Sequence, residues 1–170
     1  MLYLIPIISI LLGIGLDQYT KYLASTYLKV ESISIIDGVF QLHYLENRGA
    51  ALGVLQNQQL FFFVIGILKL VCITYIYIRM PKCKKWMPLR ICLTLMVAGA
   101  IGNMIDRIRL QYVVDFFYFE LINFPIFNVA DIYATLAAFG IIVLFLLYYK
   151  EQDLDELWAS ISFRKKETQV

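Results

Sequence analysis

Four long apolar blocks decide what this chain can fold into: Leu2 to about Tyr27, Leu60 to Ile78, Leu89 to about Ile108, and Val129 to Tyr149. Each can meet the roughly 20 apolar residues that a helix needs to cross the hydrocarbon of a bilayer. Composition agrees. Hydrophobic residues make up 61% of the 170 residues and charged ones 16%, whereas soluble domains hold about 45–50% apolar and about 25% charged residues. The expected fold is an all-α polytopic membrane protein, one integral domain over 1–170, with helices at about 2–27, 60–78, 89–108 and 129–149.

The first block could be read as a cleavable signal peptide. It lacks the basic start and small-residue cleavage site of such a peptide, and apolar residues continue past Lys21 to Leu28, so a retained helix is expected. Orientation follows from the basic residues. Arg79, Lys82, Lys84, Lys85 and Arg90 crowd the second connection, and Lys150, Arg164, Lys165 and Lys166 mark the tail, nine of the fifteen basic residues in all. The positive-inside rule assigns those regions, 79–88 and 150–170, to the cytoplasm, with both termini. Loops 29–59 and 109–128 then face outward.

Those outer loops carry strand signals. Ser32 to Ile36 and Val39 to Leu45 flank Asp37-Gly38, a two-residue hairpin signal between β-prone runs. Phe40, Leu42 and Tyr44 alternate with Gln41 and His43, so a small sheet with one greasy face is expected on the outer leaflet. Tyr112 to Phe119 is a further β-prone run. In the tail, Leu154, Leu157, Trp158 and Ile161 suit a short amphipathic helix on the inner surface; for function, the tail is expected to be a solvated segment of no catalytic consequence.

Other chemistries find little support. Cys72 and Cys92 fall within helices and Cys83 within the cytoplasmic loop, so no pair lies on the oxidising side. His43 stands alone on a strand, where a polar face residue is the ordinary reading. Gly99 and Gly102 belong to a spanning helix, where small residues permit close packing. No metal and no cofactor is expected.

What remains is carboxylate chemistry. Asp106, Asp115 and Asp131 lie inside or beside apolar segments, and an ionisable group at membrane depth is a functional candidate by default. Two converging aspartates can hold one water and share one proton, the base and acid of a metal-free peptide hydrolysis. Asp115, just outside the third helix, and Asp131, at the start of the fourth, share one membrane depth in this topology. Asp106 stands beside Arg107 on one helix, so a structural role, in which the adjacent acid and base neutralise each other, is expected.

Five separated motifs, spanning about residues 17–131, bear a further likeness. They are Asp17-Gln18-Tyr19-Thr20-Lys21, Asn47-Arg48-Gly49-Ala50-Ala51, the run from Gly99 through Gly102 and Asn103 to Asp106-Arg107, Val113-Val114-Asp115-Phe116, and Phe127-Asn128-Val129-Ala130-Asp131. In this order they resemble the DQxTK, NxGAA, GAxGNxxDR and two aspartate motifs of lipoprotein signal peptidase (signal peptidase II), the aspartic membrane enzyme of bacteria. Leu52 departs from the family pattern, which often has an aromatic residue there, and Lys69, midway along the second helix, matches no motif.

The resemblance implies four helices carrying an extracytoplasmic β-cradle, with a further loop over the active site to which Phe116 to Phe119 could contribute. It implies a catalytic pair of Asp115 and Asp131, with substrate-binding or supporting roles for Asp17, Lys21, Asn47, Gly49, Asn103, Asp106, Arg107 and Asn128. It further implies lipid-modified prolipoprotein signal peptides and membrane lipid as partners, not nucleic acid, and action as a monomer in the bacterial inner membrane. Two other classes compete: a small proton-coupled transporter, which would want acids spread across the membrane depth, and a noncatalytic scaffold whose polar residues lock helices together.

Overall fold

The computed structural model describes residues 3–49 and 58–162. Ala50, Ala51 and Leu52, and the basic residues Arg164, Lys165 and Lys166, lie outside the described residues. Four helices are long and apolar enough to cross a membrane: α1 (Leu4–Tyr27), α2 (Gln59–Arg79), α3 (Met87–Leu110) and α4 (Val129–Val143). The last continues as a π-helical turn over Leu144–Tyr148, so the fourth apolar block is not one uniform helix. Their outward surfaces are apolar and exposed, as Leu12 on α1, Val71 on α2 and Leu146 after α4 illustrate. The chain is a multi-pass membrane protein.

Helix α3 is the central element, packing against α1, α2 and α4. Its sequence explains why. Gly99 and Gly102 leave no side chain between α3 and its neighbours: a Cβ on Gly99 would stand 2.5 Å from the Ala130 carbonyl oxygen, and one on Gly102 2.5 Å from Asp17 Oδ2. Small residues thereby bring backbones close enough for polar groups on three helices to meet. At its far end α3 stops on Gln111, left-handed at φ 66°, and the chain turns directly into the sheet.

Strands β1 (Ile33–Ile36), β2 (Phe40–Asn47) and β3 (Val113–Tyr118) form one antiparallel sheet with β2 in the middle. Asp37 and Gly38 occupy the centre of the β1–β2 turn, closed by the Val39 N–H donating to the Ile36 carbonyl at 2.9 Å. Gly38 has φ +71°, a conformation that glycine adopts without steric cost. The Tyr112 to Phe119 run completes this same sheet. Leu45 pairs with Asp115 and Asn47 with Val113, a register that aligns two candidate polar residues from distant parts of the chain.

The greasy side of β2 does not lie wholly against lipid. Leu42 and Tyr44 pack on a cluster of Ala24, Leu28, Val114, Phe116 and Val129, which seats the sheet on the ends of α1 and α4. Phe116 and Phe117 are therefore ladder residues of β3, not part of a covering loop. The segment that borders the cavity described below runs instead from Asn123 to Phe127.

At the opposite end a second cluster joins Ile73, Met80, Trp86, Leu89, Leu93 and Tyr149 to Leu157 of helix α5 (Glu151–Ile161). Trp86 is fully buried and stacks on Tyr149 with ring centroids 4.4 Å apart. The described part of the tail is thus a docked helix, not a solvated segment. Leu154, Leu157 and Ile161 face the bundle, Trp158 is exposed, Lys85 pairs with Asp153, and Arg79 donates to the Ser160 carbonyl at 2.8 Å.

Candidate active site

Every sequence-predicted polar residue lies at the sheet end of the bundle, in two connected layers. The inner layer is carried by α1 and α3. Lys21 Nζ lies 3.0 Å from Asp17 Oδ2 and 2.9 Å from Asp106 Oδ2, and both ends of each pair are almost wholly buried. Asp17 and Lys21 form an i, i+4 pair along α1, as helical spacing allows. Asp106, however, does not pair with Arg107. Adjacent positions on a helix point about 100° apart and do not face each other, so Asp106 turns towards α1 while Arg107 turns away.

Two carboxylates share the single Lys21 ammonium, and buried charges need further donors. Those donors are present. Gln18 Nε2 donates to Asp106 Oδ1 at 2.9 Å and to Asp17 Oδ2 at 3.2 Å; the Val114 N–H donates to Asp106 Oδ2, and the Ala130 N–H to Asp17 Oδ1. Asp106 therefore ties α3 to the start of β3, and Asp17 ties α1 to the start of α4. Gln18 joins this layer without being among the expected site residues, and its place beside Asp17 and three residues before Lys21 is the signal that the sequence offers for it.

The outer layer holds Asp115 and Asp131. Three asparagines aim their amides at them: Asn47 Nδ2 donates to Asp115 Oδ2 at 2.8 Å, Asn128 Nδ2 to Asp115 Oδ1 at 2.6 Å, and Asn103 Nδ2 to Asp131 Oδ1 at 2.8 Å. The amide orientations are not arbitrary. Lys21, which can only donate, lies 2.8 Å from Asn103 Oδ1, and Asn128 Nδ2 lies 3.1 Å from that same oxygen. With its oxygen so engaged, Asn103 presents its NH₂ to Asp131.

Asp131 owes its position to a reciprocal cap at the start of α4. Asn128 Oδ1 accepts from the Asp131 N–H at 3.0 Å, and Asp131 Oδ2 accepts from the Asn128 N–H at 3.2 Å. Asn followed three residues later by Asp is a variant of the capping-box pattern, a signal that the sequence carried. Gly49 contributes through its backbone, its N–H donating to Asn47 Oδ1 at 3.0 Å.

Both aspartates line a cavity of about 1090 Å³, with Asn47, Gly49, Asn103 and Arg107 among the polar lining and Ile132, Thr135 and Leu136 of α4 on its apolar side. Arg107 lies 4.9 Å from the centre of the Phe62 ring and donates weakly to the Asn103 carbonyl at 3.3 Å. Burial pushes the Asp115 carboxyl up to about 7, and the Asp131 charge acts in the same direction, against the Asn47 and Asn128 donors and Lys21. Among the described residues, no three His, Cys, Asp or Glu side chains converge to hold a metal ion.

Helices of membrane length, a capping sheet and two carboxylates on one cavity define the class: a polytopic membrane protein with a polar site at one end. The chain matches the model of the signal peptidase (SPase) II family over residues 9–148. It is 40% identical over 147 residues to the lipoprotein signal peptidase of Streptococcus thermophilus (strain CNRZ 1066), covering 86% of this chain and 93% of that protein. It is 38% identical over 148 residues to the lipoprotein signal peptidase of Streptococcus pyogenes serotype M1, covering 86% and 94%. A bacterial membrane enzyme solved by the in meso method at 2.3 Å superimposes with a TM-score of 0.75 at 33% identity, over 86% of this chain and 92% of that one. The chain belongs to the signal peptidase II family of bacterial membrane peptidases.

Proposed function

We propose that this protein removes the signal peptide from diacylglyceryl-modified bacterial prolipoproteins, cutting just before the lipidated cysteine with a water activated by Asp115 and Asp131. The observation that carries this reading is the convergence of two carboxylates on one cavity, each fixed by asparagine amides. The printed names of its relatives supply the substrate class. In this reading the sheet end faces outward and both termini face the cytoplasm, an orientation supported by the basic residues of the second connection and tail.

The substrate lies with its acyl chains in lipid and its signal helix beside the enzyme's helices. Asp115 is the member of the pair that holds the shared proton in this reading, because burial and the Asp131 charge both favour its neutral form. Asp131 then takes a proton from the bound water. The water oxygen attacks the carbonyl carbon, and Arg107 offers its planar fork of donors to substrate oxygens. The C–N bond breaks as Asp115 passes its proton to the departing amine, leaving a carboxylic acid on the signal peptide that then ionises by giving its remaining proton to the released amine or to water. A proton shift between the aspartates restores the starting state.

The clustering of the acids at one end of the bundle speaks against a proton relay across the membrane. Cleavage in ¹⁸O-labelled water tests the chemistry directly. Mass spectrometry should find one ¹⁸O in the new C-terminal carboxylate of the signal peptide and a free amine on the lipidated cysteine; no label in the signal peptide would rule out attack by water.

A further inference from the structure

The cavity that holds the aspartates extends beyond them along two walls of different chemistry. Along α4 it is lined by Ile132, Thr135 and Leu136, so this arm is mainly apolar and lies within a helix of membrane length. Along β2 it is lined by Asn47, Leu45 and His43, while Leu42 and Tyr44 turn to the apolar cluster on the other side, the alternation that a strand imposes. Tyr118 of β3 and Asn123 line the cavity as well. Tyr118 pairs with Gln41 of β2, and its ring centre lies 6.2 Å from that of His43. The sheet arm thus begins at Asn47, which holds Asp115, and ends on three polar side chains.

Those side chains are held in place without being used up. Ser32 Oγ lies 2.7 Å from His43 Nδ1, which leaves the Nε2 of that ring without a hydrogen bond among the described residues. Tyr118 Oη donates to Asn123 Oδ1 at 2.7 Å, so the Asn123 amide nitrogen keeps both of its protons to donate. A polar residue on a solvated strand face needs no partner, but His43 stands on the wall of the aspartate cavity. It is four residues from Asn47 along β2, and Tyr118 is three from Asp115 along β3. At roughly 3.3 Å per residue these are separations of about 13 and about 10 Å. An extended peptide advances at the same rate, so a chain cut at the aspartates reaches this polar end three or four residues past the scissile bond.

We propose that the sheet arm of the cavity binds the segment that follows the lipidated cysteine, and that His43, assisted by Asn123, determines specificity there by hydrogen-bonding the third or fourth residue of the mature chain, the cysteine being the first. This inference rests on the cleavage reading above and deepens it. The signal peptide is apolar and stays in the membrane, which suits the α4 arm. The mature chain leaves the membrane, which suits the arm carried by the sheet. An imidazole nitrogen and an amide nitrogen favour a side chain with an oxygen acceptor over an apolar one of similar size, because the apolar side chain covers both groups and leaves them unpaired.

The test uses the full chain in phospholipid bilayers and diacylglyceryl-modified peptides that share one signal sequence and differ only after the cysteine. One peptide carries asparagine at the third and fourth mature positions in an otherwise alanine segment, a second carries leucine at both, and a third pair places the same residues further along the chain. Wild type should cleave the first with a kcat/KM about fivefold or more above the second, as one or two neutral hydrogen bonds supply, with the difference in KM. The pair substituted further along should be cleaved alike. His43→Phe should abolish the preference for asparagine, and His43→Gln, which can still hydrogen-bond, should keep part of it. Equal kcat/KM for the first two peptides in wild type, or an undiminished preference in folded His43→Phe, overturns the proposal. The wild-type comparison stands even if a variant does not fold. Failure of wild type to cleave any of the peptides would instead sink the underlying reading.

Discussion

Asp106 and Asp115 are both buried carboxylates in one polar cluster, yet their partners differ in kind. Asp106 meets a full positive charge on Lys21, whereas Asp115 meets neutral amides and the like charge of Asp131. At Asp115, burial and the Asp131 charge favour retention of a proton against the pull of the amide donors. Three predictions belong to this scale. Cleavage should decline as pH rises through about 7, because Asp115 then loses the proton it donates, and a pH–rate profile with no descending limb there would count against that role. The same shift bears on stability. A folded-state value above the unfolded one gives a contribution fully present below the ordinary carboxylate range and lost as pH rises through about 7. The unfolding midpoint of wild type should therefore fall more steeply between about pH 4 and 7 than that of Asp115→Asn. Lys21→Met removes the shared counter-ion of two buried acids and should cost about 3–5 kcal/mol, read as a lowered unfolding midpoint or loss of folded protein. The residue types of the site were legible in the sequence, but the partner of Asp106 was not: adjacency to Arg107 suggested a pair that helical geometry forbids.

At the scale of elements, hydropathy located the four helices to within a few residues, because each apolar block is long and is bounded by polar or turn residues. Asp37-Gly38 located the hairpin for an equally local reason. The addition of β3 to that hairpin was not legible, since strand pairing depends on where α3 delivers the chain, which no local pattern encodes. The docking of α5 was missed likewise: Leu154, Leu157 and Ile161 announced an amphipathic helix, but not the protein surface that receives it. Close helix approach offers a sharp test. In Gly99→Ala the new methyl meets a backbone carbonyl at the start of α4, 2.5 Å away, and that backbone also carries Asp131. The variant should lose about 1–3 kcal/mol and cleavage with it. Gly66→Ala, whose methyl meets only the end of the Met104 side chain at 3.4 Å, should lie within about 0.5 kcal/mol of wild type. Equal unfolding midpoints for the two variants would contradict this packing account.

For the whole molecule, orientation and chemistry stand or fall together, since a peptidase acting on exported lipoproteins needs its site outside. Cys83 is exposed in the connection between α2 and α3. In a Cys72→Ser, Cys92→Ser background, a membrane-impermeant maleimide should label Cys83 only after intact cells are permeabilised; labelling beforehand would reverse the topology. The central claim is that Asp115 and Asp131 together perform the cleavage. Its most direct measurement compares turnover of a diacylglyceryl-modified prolipoprotein by purified wild type, Asp115→Asn and Asp131→Asn in bilayers, with folding verified for each. Wild type should release the signal peptide, and each variant should lose at least about a hundredfold in rate, the lower range for removing a general acid or base. Normal cleavage by either folded variant would contradict the account.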